Sequence, residues 1–122
     1  MNQEKINEII SEFGEAWVNR DPDSIMNLIA KENLNYYEST FSDPVTSWHY
    51  VKKLWDVVPD NQENVTWWHE ILISQGNKAL AHVKVTRNLI PSSEFQDIDA
   101  AFLFGVNDHG KINYFRQWRM LA

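Results

Sequence analysis

The sequence predicts an α+β fold, with N-terminal helices packed on one face of a strongly curved, mostly antiparallel sheet. Three observations carry this. Apolar residues recur at three- and four-residue steps in the first part of the chain, the mark of amphipathic helices. From Val65 onward they alternate, in long runs separated by turn-forming residues. The two patterns are segregated, helices first and a meander after, which is how helices come to lie on one side of a sheet. The 122 residues amount to one domain, residues 1–122, because a second core would not fit.

Each element follows from local chemistry. Ile6, Ile9, Ile10, Phe13, Trp17 and Val18 share one face of a first helix. Asp21-Pro22 stops it, since proline disfavours a helical residue before it. Pro22 then suits the first turn of a second helix capped by Asp21, with Ile25, Leu28 and Ile29 buried and an end near Asn33. Leu34–Ser39 alternates and is aromatic, a short strand. Thr40–Pro44 is a loop. Thr46 or Ser47 caps a third helix carrying Val51, Leu54, Trp55 and Val58 on one side, and Pro59-Asp60-Asn61 ends it.

Long strands then follow at Val65–Ser74, Lys78–Asn88, Phe95–Val106 and Lys111–Leu121. Gln75-Gly76-Asn77, Ile90–Ser93 and Asn107–Gly110 connect them. Alternation places Val65, Trp67, His69, Ile71 and Ile73 on one face, with Ala79, Ala81, Val83, Val85 and Arg87, and with Ile98, Ala100, Phe102, Phe104 and Val106. The last strand mixes apolar residues on both faces. The opposite face carries Trp68, Leu72 and Trp118, more apolar surface than solvent tolerates, so a second copy of the chain is expected to cover it as a homodimer.

Composition narrows the function. Eleven basic against seventeen acidic residues give a net charge of −6, unlike a nucleic-acid surface. There is no cysteine, hence no disulfide or thiolate metal site. No apolar run approaches the ~18 residues of a membrane span. Met1–Lys5 lacks the pattern of a secretory leader, so the expectation is a cytoplasmic protein. The unusual feature is six Trp, six Phe and four Tyr.

The order of elements resembles the nuclear-transport-factor-2-like superfamily, and within it the SnoaL-like and ketosteroid-isomerase-like proteins. The carriers are Phe13-Gly14-Glu15-Ala16-Trp17-Val18-Asn19-Arg20-Asp21-Pro22-Asp23-Ser24-Ile25, the strand Tyr36-Tyr37-Glu38, Asp43-Pro44, Val51-Lys52-Lys53-Leu54-Trp55, Pro59-Asp60, and the hairpin Asp108-His109-Gly110-Lys111-Ile112 leading into Tyr114-Phe115-Arg116-Gln117-Trp118. The resemblance covers nearly the whole chain. It implies a sheet bent into a cone around an internal pocket closed by the helices. Some members are isomerases, cyclases or hydrolases and others only bind ligands or partners, so fold does not settle function.

Glu38 resembles the position where the isomerases place their carboxylate base. It follows Tyr36 on one strand face, and burial there would suit it to proton abstraction; the alternative is a strand-end acid in solvent. The isomerase's other parts are missing. The position resembling its helix-one tyrosine is Phe13, and the position resembling its oxyanion-hole acid is Ala100 or Phe102. His69 shares an apolar face with Trp67 and Ile71, as a donor, a base or a packed histidine with its nitrogens satisfied. His49, His82 and His109 read as helix-start, outer-face and turn residues, and no His-x-His or His-Glu-x-x-His spacing occurs, so neither metal nor cofactor is expected. Arg87, if inward, would hold a ligand carboxylate by a bidentate contact; otherwise it pairs with Asp97 or Asp99. Arg119, if it too faces inward, is a further ligand-binding candidate that would ease the disfavour toward polyanions.

Phe13, Trp17, Tyr36, Trp55, Trp67, Phe102 and Phe115 either pack the core or line a slot for a planar apolar ligand. Two functions stay open. One is a SnoaL-like enzyme without cofactor, acting by acid–base chemistry on a hydrophobic or polycyclic small molecule, with Glu38 and His69 catalytic. The other is a non-catalytic module that binds a ligand or a protein through the same fold.

Overall fold

The polypeptide, described by a computed structural model over residues 2–122, builds its first helix from the predicted stripe except at Val18, which is the last helical residue and is exposed. Helix α1 spans Gln3–Val18, and the Asn2 side chain caps it by accepting from the Lys5 N–H. Helix α2 spans Pro22–Leu28, with Asp21 accepting from the Ser24 N–H and Pro22 in the first turn. The expected extension toward Asn33 does not form. Ile29 turns extended and bridges Ile112, and Ala30 N–H donates to the Ile112 carbonyl. Strand β1 is only Asn35–Tyr36, shorter than the predicted Leu34–Ser39, because Tyr36 also pairs with Val45 and the intervening chain loops out. Ser47 caps α3, Trp48–Asp56, and a further turn, α4, Val58–Asn61, carries the chain into the sheet.

Strands β2 (Gln62–Gln75), β3 (Lys78–Leu89), β4 (Phe95–Val106) and β5 (Ile112–Leu121) form an antiparallel meander. The sheet order is β1-β5-β4-β3-β2, with β1 parallel to β5. The helices cover one concave face, which is the α+β architecture the sequence predicts.

Bulges explain where simple alternation breaks. A register shift between Ile71 and Ile73 turns Ile73 to the outer face, opposite Leu80, correcting the inward placement expected for it. A second shift beside Gly105 lets Ile112 point inward while Tyr114 points outward. From there Phe115, Gln117 and Arg119 share the concave face, and the mixed pattern of the last strand is resolved.

The floor of the cone is aromatic and filled. Phe13, with no exposed surface, meets Trp55, Trp67 and Phe104 edge-on at centroid distances of 5.6, 5.9 and 5.6 Å. It stacks on Phe115 at 5.6 Å. Phe102 closes the set against Trp67 and Phe115. The Trp67 indole lies so close over Gly14 that a methyl group there would overlap its ring. No helix among the described residues is long and apolar enough to cross a membrane.

Gly14→Ala therefore sets two effects against each other. Helix propensity favours alanine by ~1 kcal/mol, whereas forcing a rigid indole out of a packed core costs ~1–3 kcal/mol or more. The clash should win, and thermal unfolding should show a lower Tm for the variant. An unchanged or raised Tm would contradict this packing.

Candidate functional site

Beyond the aromatic floor, at the open end of the cone, lies a hollow of about 250 Å³. The helical wall is Trp17 from α1, Leu54 and Trp55 from α3, and Val58 from α4. The opposite wall comes from the sheet: Tyr36, Gln62, Arg87, Gln117 and Arg119, with Glu38 just past β1. Strand alternation brings these together. Arg87 continues the inward face of Val83 and Val85, and Arg119 continues that of Phe115 and Gln117.

The aromatic walls are fixed by hydrogen bonds. Trp17 Nε1–H donates to Gln62 Oε1 at 3.0 Å, and Trp55 Nε1–H donates to the Tyr36 hydroxyl at 3.0 Å. The two indoles meet edge-on at 5.4 Å. Burial pushes the Tyr36 phenol up to about 12, against the opposing pull of the Trp55 hydrogen bond and the Arg119 charge. The phenol thus stays protonated at neutral pH. Its oxygen is the acceptor toward Trp55, so its own O–H is left to donate.

Glutamines organise the polar wall. Gln117 is only 2% exposed. Its amide nitrogen donates to the carbonyls of Tyr37 and Glu38, both at 2.9 Å, while its oxygen accepts from Arg119 Nε. Arg87 Nε donates to Gln96 Oε1 at 2.8 Å. The expected alternative for Arg87, an ion pair with Asp97 or Asp99, is not formed. Those carboxylates face outward, where Asp99 binds His82 instead. Burial lowers the pKa of Arg87, and repulsion from Arg119 adds to it. Arg119 retains exposed surface, yet the protein around its guanidinium lowers its pKa too. The Glu38 side chain is exposed at the rim rather than desolvated as the strand pattern led one to expect.

The sequence-predicted site residues divide accordingly. Trp17, Tyr36, Glu38, Trp55, Arg87 and Arg119 meet at the hollow. Phe13, Trp67, Phe102 and Phe115 belong to the floor beneath it and do not line it. His69 is not brought to Glu38. It sits between β2 and α1, where Nδ1 accepts from the Trp67 indole at 3.0 Å, so Nε2 carries the proton and donates to Asn7 Oδ1 at 2.8 Å. Gln62 and Gln117 were missed as site residues. Gln117 left a signal, a polar residue between Phe115 and Arg119 on one parity; Gln62 precedes the predicted strand and left none.

A separate hollow of about 300 Å³ between α1 and α2 is lined by Glu12, Glu15 and Asp21 with Asn19, Ser24, Asn27, Ala16 and Leu28, without an aromatic or basic side chain. No group of His, Asp and Glu among the described residues is placed to hold a metal ion.

No family model matches the sequence, and no curated protein matches it. Solved structures do. SalBIII, an epoxide hydrolase/cyclase-like enzyme of pyran ring formation in salinomycin, superposes with a TM-score of 0.81 at 17% identity, over 99% of this chain and 93% of its own. A Δ5-3-ketosteroid isomerase from Mycobacterium sp. gives 0.81 at 11% identity, over 97% and 98%. Rv0760c from Mycobacterium tuberculosis, in complex with estradiol-17β-hemisuccinate, gives 0.77 at 12% identity, over 93% and 92%. Identities this low establish a shared fold and assign no residue a role.

The His69 geometry carries a pH dependence. Burial lowers its folded-state pKa below the unfolded value of about 6.5. As pH falls, the unfolded chain therefore takes up this proton first. The stabilisation by neutral His69 is complete above about pH 6.5 and is lost as pH drops through the lower folded-state pKa. The Tm should fall between about pH 7.5 and 5, and less steeply in His69→Gln. His49, His82 and His109 are common to both proteins and cancel in the comparison. Equal slopes would show that His69 is not the responsible group.

Proposed function

Since the chain has the cone fold of the nuclear-transport-factor-2-like superfamily, we propose that its hollow is a binding pocket for a flat, hydrophobic small molecule. Glu38 acts there as the proton acceptor in an isomerase-, cyclase- or hydrolase-type reaction that needs no cofactor. The observation that carries this is the convergence of Trp17, Tyr36 and Trp55 with a single carboxylate on one hollow. Apolar walls bind by burial, at roughly 25 cal/mol per Å², and the few polar groups orient. Glu38 would take a proton from carbon, and the Tyr36 hydroxyl would donate a hydrogen bond to the oxygen that gains charge. His69, held between Trp67 and Asn7, has no assigned part in that step. The fold accommodates a steroid ester in Rv0760c, which accords with a planar apolar ligand.

The exposure of Glu38 favours a second reading, a carrier that binds the same ligand without chemistry. Deuterium exchange at the α-carbon of 2-tetralone, a planar bicyclic ketone, separates the two. The enzyme reading expects exchange faster than in buffer and a loss of about a hundredfold in Glu38→Gln, with tryptophan quenching by the ketone retained. Quenching without accelerated exchange would leave the carrier.

The outer face of the sheet supports the expected homodimer as part of this proposal. Trp68 is 46% and Met120 74% exposed, beside Leu72, Ile73 and Trp118. Removing such a patch from water is worth more than a lone copy can recover. Light scattering at tens of micromolar should give the mass of a dimer, and Trp68→Glu should lower it. A monomeric wild type would defeat the idea.

A further inference from the structure

Among the described residues, neither Arg87 nor Arg119 has a carboxylate partner; the ion pairs lie elsewhere, between Lys5 and Glu8 and between Lys52 and Asp56, while His82 is hydrogen-bonded to Asp99. Each guanidinium is held instead by a neutral amide, Gln96 or Gln117, and only through Nε. That leaves the two terminal nitrogens of each guanidinium, with four N–H bonds, without a partner among the described residues, on side chains that line the hollow. The two charges also repel each other.

An arrangement that gathers two like charges and neutral supports is unfavourable for the empty protein and favourable for an anion. From this we infer that the pocket's ligand is a carboxylate, with its planar apolar body against Trp17, Leu54 and Trp55 and its carboxylate between Arg87 and Arg119. The inference rests on the pocket reading above and sharpens it. Charge balance selects a monoanion. The two arginines, set against the one carboxylate of Glu38 on the same hollow, leave a single positive charge to be matched. A phosphate monoester, at about −1.5 to −2 near neutrality, would overshoot it. Geometry agrees, because the guanidinium fork matches the two oxygens of a carboxylate.

The test uses matched probes on the whole protein, read by tryptophan fluorescence, since Trp17 and Trp55 line the hollow. The probes are 2-naphthoate, its neutral methyl ester and 2-naphthyl phosphate, all at fixed ionic strength. The expected result is that 2-naphthoate binds about tenfold or more tightly than the ester and no more weakly than the phosphate. Arg87→Gln and Arg119→Gln should each erase the preference for acid over ester while leaving ester binding in place. Ester binding thus reports that the variant is folded. Arg87→Lys and Arg119→Lys, which keep the charge and lose the fork, should retain part of the preference. Equal affinity for acid and ester in the wild type would overturn the inference and leave the pocket standing. So would a preference for the acid that survives both glutamine variants, or a clear preference for the phosphate. If none of the probes binds, the pocket reading fails and the inference falls with it.

Discussion

A single buried phenylalanine fixes where everything else can go. Phe13 touches rings from α3, β2, β4 and β5 at once. Aromatic pairs of this kind are worth ~0.5–1.5 kcal/mol each beyond the area they bury, so the contacts of one side chain clamp the first helix to three strands and to the third helix. The same packing consumes the interior. A cone this size filled with Phe13, Trp67, Phe102, Phe104 and Phe115 has no room for a ligand at its floor. Whatever space remains lies at the open end, bounded by Trp17 one helical turn beyond Phe13, by Gln117 and Arg119 two and four positions beyond Phe115, and by Arg87.

At that open end the decisive contact is polar. A buried amide must find partners or cost ~1–3 kcal/mol, and Gln117 finds three. It ties β5 to the backbone that carries Glu38 and steers Arg119 by its Nε. A glutamate at this position would meet two carbonyls with no donor to offer them. It would also neutralise Arg119. The choice of an amide thus preserves both the local backbone and the charge of the pocket. Gln96 repeats the arrangement for Arg87 across the β3–β4 pair, and Gln62 satisfies Trp17 without adding charge. These supports are neutral, so the charged groups lining the hollow are Arg87, Arg119 and Glu38.

Much of this was legible before any coordinates. Helix faces, the Asp21 and Ser47 caps, Pro22 and three of the strand turns follow from periodicity and turn chemistry, because those signals are local. The inward direction of Arg87 follows too, since no bulge interrupts the face that runs from Ala79 to Val85. The misplaced strand faces have one physical source. A bulge resets strand parity, and nothing in the alternation of β2 or β5 announces the shifts at Ile71/Ile73 and Gly105/Val106. His69 illustrates another kind of limit. Its apolar neighbours were readable, but its partner Asn7 lies on a helix far away in sequence, so the sequence could not choose between a pocket residue and a packed one. Glu38 was placed on the correct strand segment, yet β1 ends two residues earlier, and the side chain meets solvent at the rim instead of the interior.

Charge is arranged unevenly, and the unevenness constrains what can reach the site. The chain carries a net −6, and its acidic residues include the Glu12, Glu15 and Asp21 cluster between the first two helices. At physiological salt such charges are screened beyond about 8 Å, so they disfavour an extended polyanion that must lie along the surface but scarcely affect a small molecule inside the hollow. There the nearest charges are those of Arg87, Arg119 and Glu38, which act on a ligand at contact distance. Long-range attraction therefore contributes little to capture, and selectivity falls to short contacts. On the proposed pocket reading, a thin ligand would pass between Trp17 and the sheet with its charged end toward the arginines. The acidic exterior and the two arginines of the hollow therefore act at different ranges, the first on large charged bodies near the surface and the second on groups within contact distance.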